Sequence, residues 1–114
     1  MKIQTTSNND IQVLELSGEL DYHSSPELRE KLSELTGKQS PKILVDLSGV
    51  EYMDSSGIAT FVEAFQKTKR YQGRLILAAL TDTVRGVFEI AKLDSIFEIA
   101  PTVVEGVTSL GSKS

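Results

Sequence analysis

Lys42-Ile43-Leu44-Val45-Asp46-Leu47 holds three consecutive large apolar residues between polar ends, and that run decides the fold class. A strand with one wet face alternates apolar and polar side chains, whereas Ile43-Leu44-Val45 offers apolar surface to both faces. The stretch therefore reads as a central strand covered on more than one side, as in parallel sheets. Arg74 to Leu80 (RLILAAL) repeats the pattern. Between them lies a helix over about 55–71, with Ile58, Phe61, Val62 and Phe65 as its inner face and Glu63 and Lys67 set to pair outside. Ser48 to Asp54 reads as the loop leading into it, and Gly73 stops it.

Working outward, residues 2–6 and 11–17 read as strands of an antiparallel hairpin, joined by Ser7-Asn8-Asn9-Asp10. Gly18 closes the second strand and Glu19 to Ser25 form a polar loop. A helix follows, capped by Ser24 or Ser25, with Pro26 in its first turn, Glu27 at its positive end, and Leu28, Leu32 and Leu35 in one stripe. Gly37 ends it, and Pro41 precedes the central strand. After the second buried strand, Thr81 or Asp82 caps a third helix with Val84, Val87, Phe88 and Ala91 inward. Ile96 to Ile99 read as a short strand. Pro101 opens a last helix bearing Val103, Val107 and Leu110, and Gly111 to Ser114 read as a frayed tail. The order β-β-α-β-α-β-α-β-α predicts one α/β domain over residues 1–114. It has a small mixed sheet, an N-terminal antiparallel hairpin strand plus parallel strands, packed with about four helices.

The chain has 114 residues and no cysteine, which excludes disulfide frameworks and thiolate chemistry and suits a reducing compartment. Sixteen acidic against twelve basic residues give a net charge of −4. That balance argues against a nucleic-acid partner. No apolar run reaches membrane-span length and no signal-peptide core is visible, so a cytoplasmic protein without membrane attachment is expected. No metal-ligand cluster and no Gly-rich phosphate loop appear, so no metal and no cofactor are expected. The phenylalanines Phe61, Phe65, Phe88 and Phe97 read as core.

Three loops, Glu19–Ser25, Glu51–Ser55 and Leu80–Asp82, each follow a parallel strand. They are expected at one sheet edge, where open α/β sheets place their sites. There Asp54-Ser55-Ser56-Gly57-Ile58 sets a carboxylate, two hydroxyls and a glycine at a helix start. Helix N-termini carry unpaired N–H groups and partial positive charge, so a hydroxyl there is presentable and a phosphate on it could be held. The same residues also read as ordinary capping, and spacing alone does not separate Ser55 from Ser56. Asp21, Tyr22, His23 and Ser24 on the neighbouring loop add candidate contact surface. For Asp21 and Ser24 turn chemistry is the plainer reading, and for Tyr22 partial packing of its ring. His23, the only histidine, reads as solvated.

Ser17-Gly18-Glu19-Leu20-Asp21, the Ser-Pro-started helix, Ile43 to Val50, Met53-Asp54-Ser55-Ser56-Gly57-Ile58, Gly73-Arg74-Leu75 and Leu93-Asp94-Ser95-Ile96-Phe97 together resemble the STAS domain family. Within it they resemble the stand-alone anti-sigma factor antagonists of bacteria, over about residues 10–108. The resemblance implies a non-enzymatic partner-switching protein, and a monomer is expected. Unphosphorylated, it binds an anti-sigma factor that is also a serine kinase and frees the sigma factor. The kinase phosphorylates the serine after the aspartate, here Ser55 with Ser56 as runner-up, and a PP2C-type phosphatase resets it. The partner surface implied is Asp21, Tyr22, His23, Ser24, Asp54, Ser55, Ser56, Gly57 and Ile58.

Phosphorylation adds roughly −1.5 to −2 charges. Beside a partner carboxylate about 4 Å away, that costs roughly 4 kcal/mol per charge pair at an effective dielectric near 20.

Three rivals are weaker. A serine hydrolase needs G-x-S-x-G, but Met53 stands at the first glycine and His23 is the sole base. A phospho-receiver with Asp54 as acceptor can borrow Glu19 and Asp21 for magnesium, yet no lysine closes a late strand. A STAS subunit of another signalling or transport assembly keeps the fold and drops the switch.

Overall fold

Asn9 adopts a left-handed backbone (φ 59°), which asparagine tolerates better than most residues, and so closes a tight hairpin. The hairpin joins β1 (Lys2–Asn8) to β2 (Ile11–Leu20) with Asn8 opposite Ile11. In this computed structural model, which describes residues 1–111, the chain continues through α1 (Ser25–Gly37), β3 (Lys42–Met53), α2 (Ser55–Arg70) and β4 (Arg74–Ala78). It ends with α3 (Asp82–Ile90), β5 (Glu98–Ala100) and α4 (Val103–Gly111). The strands form one sheet in the order β1-β2-β3-β4-β5. The β1–β2 pair is antiparallel and every other pair parallel, as the element order predicts.

The central run behaves as its composition requires. Ile43 and Val45 enter a core cluster with Leu14, Leu28, Leu32, Phe61, Val84 and Phe88. Leu44, between them, points to the other face and packs with Ile11, Val13, Ile76, Ala100 and Leu110. The aromatic set is core, with Phe88 and Phe97 edge to face at 5.5 Å.

Several boundaries differ from the expectation. β1 runs through Asn8, leaving only Asn9 and Asp10 in the turn. β2 does not close at Gly18 but reaches Leu20, and β3 does not end at Leu47 but reaches Met53. The two stay paired through register shifts, with Gly18 at φ 106°, a conformation that side chains rarely adopt. β4 stops at Ala78, because Ala79 (φ 58°) turns the chain outward while its N–H donates to Ala100 O. Leu80 is buried outside the strand. The last strand is Glu98–Ala100, and Ile96 is 53% exposed.

The inner face of α2 is carried by Gly57, Thr60, Phe61, Ala64 and Thr68, with Ile58, Val62 and Phe65 half-buried beside it. On α3, Val84 and Phe88 are buried and Val87 half-buried, but Ala91 is exposed just past the helix end. Gly111 is the last residue of α4, and the rest of the expected frayed tail, residues 112–114, lies outside the described residues.

Candidate functional site

Leu20, Met53 and Ala78 end three neighbouring parallel strands at one sheet edge, so the loops after them meet there. Backbone and side-chain bonds tie those loops together. Asp54 N–H donates to Leu20 O (3.1 Å), joining the start of α2 to the end of β2. Thr81 Oγ1 donates to Val50 O (3.0 Å) and accepts from Val84 N–H (3.3 Å), so it caps α3 while holding β3. None of the three loops carries a lysine or arginine, whereas Glu19, Asp21, Glu51, Asp54 and Asp82 all lie in or beside them.

The β2–α1 loop is a polar knot. Asp21 Oδ1 accepts from the N–H groups of His23 (3.0 Å) and Ser24 (3.1 Å). Ser24 Oγ donates to Glu19 O (2.8 Å) and accepts from Asp21 N–H (3.0 Å). Ser25 is the first residue of α1 and buried, and its Oγ donates to Asp21 O (2.7 Å). Neither serine therefore caps α1 through its side chain as expected; Asp21 organises the turn instead. The Ser24 N–H holds the Asp21 carboxyl below its ordinary value; desolvation opposes it, and the His23 N–H adds to the lowering. Rigidity below puts the rings on display above. Tyr22 is 67% exposed, and its ring lies 4.1 Å from that of His23.

The β3–α2 junction is built differently. Asp54 is extended, and its Oδ1 accepts from Ser56 N–H (2.8 Å) as the cap of α2. Asp54 O accepts from Gly57 N–H (3.1 Å) and Ile58 N–H (3.3 Å). Ser55 follows as the first helical residue, exposed, and among the described residues its hydroxyl has no hydrogen-bond partner. Ser56 is half-buried, and its carbonyl accepts from Thr60 Oγ1 (2.9 Å). The two serines thus differ in exposure.

Gly57 is buried. A Cβ there would stand 2.8 Å from Leu20 Cγ and from Met53 Cγ. The close approach it permits is internal, to Leu20 and Met53. Ile58 is half-buried against the main core. The structure therefore brings Asp21, Tyr22, His23, Ser24, Asp54, Ser55 and Ser56 to one edge, with Gly57 beneath them and Ile58 at its margin.

Leu20 and Thr81 also belong to this edge. Leu20 went unread because its stretch looked like loop, while Thr81 was visible only as a helix cap. Among the described residues no group of three or more His, Cys, Asp or Glu could hold a metal ion, and no helix is long and apolar enough to cross a membrane.

Comparison with known proteins agrees with this architecture. The family model for the STAS domain matches residues 2–106. The chain is 39% identical over 101 residues to the anti-sigma-B factor antagonist of Bacillus subtilis (strain 168), covering 89% of this chain and 91% of that one. The structure of the anti-sigma factor antagonist SpoIIAA in its unphosphorylated form superimposes with a TM-score of 0.84 at 26% identity, covering 99% of this chain and 100% of that one. The Bacillus cell fate determinant SpoIIAA in its phosphorylated form gives a TM-score of 0.77 at 25% identity, covering 96% and 99%. On the extent of the family match, this chain belongs to the STAS domain family.

Proposed function

We propose that this protein is a cytoplasmic, monomeric, single-domain anti-sigma factor antagonist whose binding is switched off by phosphorylation of Ser55. Unmodified, it engages an anti-sigma factor with serine-kinase activity through the edge formed by the β2–α1 loop and the start of α2. The kinase then moves the γ-phosphoryl group of a nucleoside triphosphate onto Ser55: the Oγ–H bond breaks, an Oγ–P bond forms, and nucleoside diphosphate and a proton leave. A PP2C-type phosphatase hydrolyses the ester, returning the hydroxyl and inorganic phosphate. The chain itself is not an enzyme in this scheme.

The observation that carries the reading is the state of Ser55, an exposed hydroxyl without an internal partner at the first position of a helix, beside a cap that is already made. The nearby serines are less available, since Ser24 and Ser25 spend their hydroxyls on the loop and Ser56 is half-buried. Relatives named as anti-sigma factor antagonists, one of them known in both unphosphorylated and phosphorylated forms, support the same reading.

Phosphopeptide mass spectrometry of protein from its native host, read across Glu51 to Gln66, tests the site. Phosphate on Ser55 is expected; phosphate on Ser56 moves the switch by one residue; its absence under active-kinase conditions overturns phosphoregulation. In binding assays with the captured anti-sigma factor, Ser55→Ala should bind like unmodified protein, and the phosphorylated form should bind roughly 100-fold or more weakly.

A further inference from the structure

We propose that Thr81 is a positioning residue for the switch: its hydroxyl fixes the far end of β3, and with it the place where Ser55 is presented. The effect on partner binding rests on the proposed function; the effect on geometry does not. The β3–β4 ladder has its last pair at Asp46 and Ala78, yet β3 continues to Met53. Along this overhang β2 still flanks one side of β3, up to Leu20 opposite Met53. On the other side Ala79 (φ 58°) has turned the chain away. Val50 lies in the overhang and is fully buried, so water cannot serve its carbonyl. Thr81 Oγ1 donates to that carbonyl at 3.0 Å, where the strand that would have paired with it has ended.

The same oxygen accepts from Val84 N–H at 3.3 Å, so the position uses a group that donates and accepts at once. Val84 and Val50 share the main core cluster, which seats α3 against the overhang. What the overhang carries is the site. Met53 packs under Gly57, Asp54 N–H goes to Leu20 O, and Ser55 follows. Those contacts tie the start of α2 toward β2, and Thr81 supplies the restraint from the α3 side. Without its donor the Val50 carbonyl is left buried and unpaired. Displacing the end of β3 relieves that cost and carries Ser55 with it.

Three changes at Thr81 separate the donor from the cap. Thr81→Ser keeps both roles, and Thr81→Val loses both. Thr81→Asp accepts from Val84 N–H but has no proton to donate at neutral pH. It is made together with Asp82→Asn, to hold the charge of the loop constant, and compared with Asp82→Asn alone. In ¹⁵N–¹H spectra the Asp54, Ser55 and Ser56 amides should move in Thr81→Asp and Thr81→Val, and stay in place in Thr81→Ser. Binding of the unmodified protein to the captured anti-sigma factor should weaken about tenfold in the first two and be retained in Thr81→Ser. Unmoved amides in Thr81→Asp would make Thr81 a cap and no more, and overturn the proposal. Moved amides with unchanged affinity would overturn it as well, since the site would then tolerate the displacement. Should Thr81→Val fail to fold, Thr81→Asp carries the test. The spectra need no partner, so failure of the proposed function shows separately, as absent binding by the wild type.

Discussion

Helices α1 and α2 leave the same sheet edge behind an aspartate and two serines, yet the serines meet opposite fates. Before α1, Asp21 stands three residues ahead of Ser24, so the chain folds back and both serine hydroxyls bond within the loop. Before α2, Asp54 adjoins Ser55 and reaches over it to Ser56 N–H, which leaves the Ser55 hydroxyl without a partner. Availability of a hydroxyl is thus set by where the capping carboxylate sits, since residue types at the two junctions are nearly the same.

The sharpest way to break this comparison is to put the same charge at both places. Ser25→Asp buries a carboxylate where a hydroxyl donated to Asp21 O, and should cost about 3 kcal/mol. Ser55→Asp adds an acid to the first turn of a helix in solvent, and should change stability by no more than about 0.5 kcal/mol. Urea denaturation midpoints measure both. Equal costs would mean that the two junctions do not differ in the way described.

A smaller effect is expected below the surface. Gly57→Ala should destabilise by about 2 kcal/mol through overpacking against Leu20 and Met53. Adding Leu20→Ala should cost less than the sum of the single changes, since the smaller side chain vacates the space the new methyl needs. Strict additivity would show that the contact is not the limiting one.

These residues also mark how far the sequence could be read. The order of nine elements was legible because Ile43-Leu44-Val45 and Leu75-Ile76-Leu77 are apolar without alternation, and because helical stripes separate them. The strand ends were not, since Gly18 and Ser48 look like turn residues while register shifts carry β2 and β3 past them. The inner face of α2 was half legible: large apolar residues mark the side, but Gly57, Thr60, Ala64 and Thr68 are buried there as well. At the site, the edge and its loops followed from topology. The difference in exposure between Ser55 and Ser56, and the role of Asp21 as organiser of its loop, rest on packing and hydrogen bonds that no spacing displays.

The two aspartates can be compared directly. Asp54→Ala should cost about 1 kcal/mol, the usual value of a lost cap. Asp21→Ala should also destabilise, and with a pH signature. Its folded carboxyl ionises more readily than the unfolded one, so its contribution is full above the unfolded pKa near 4 and is lost as pH falls through the folded value. The gap between wild type and Asp21→Ala should therefore narrow between pH 6 and pH 3. A gap independent of pH would assign the loop's order to the serine hydroxyls alone.

The smallest effect on stability should come from Tyr22→Ala, where the larger effect on binding is expected. Tyr22 is 67% exposed and touches the His23 ring, so its removal should change the unfolding midpoint by less than about 0.5 kcal/mol. An aromatic ring on a loop already fixed by Asp21 and Ser24 can be buried by a partner with little further ordering. Losing it should weaken binding of the unphosphorylated protein to its anti-sigma factor roughly tenfold. Unchanged affinity would confine the contact to the start of α2, and the knotted loop would then serve only to hold Leu20 beneath Asp54.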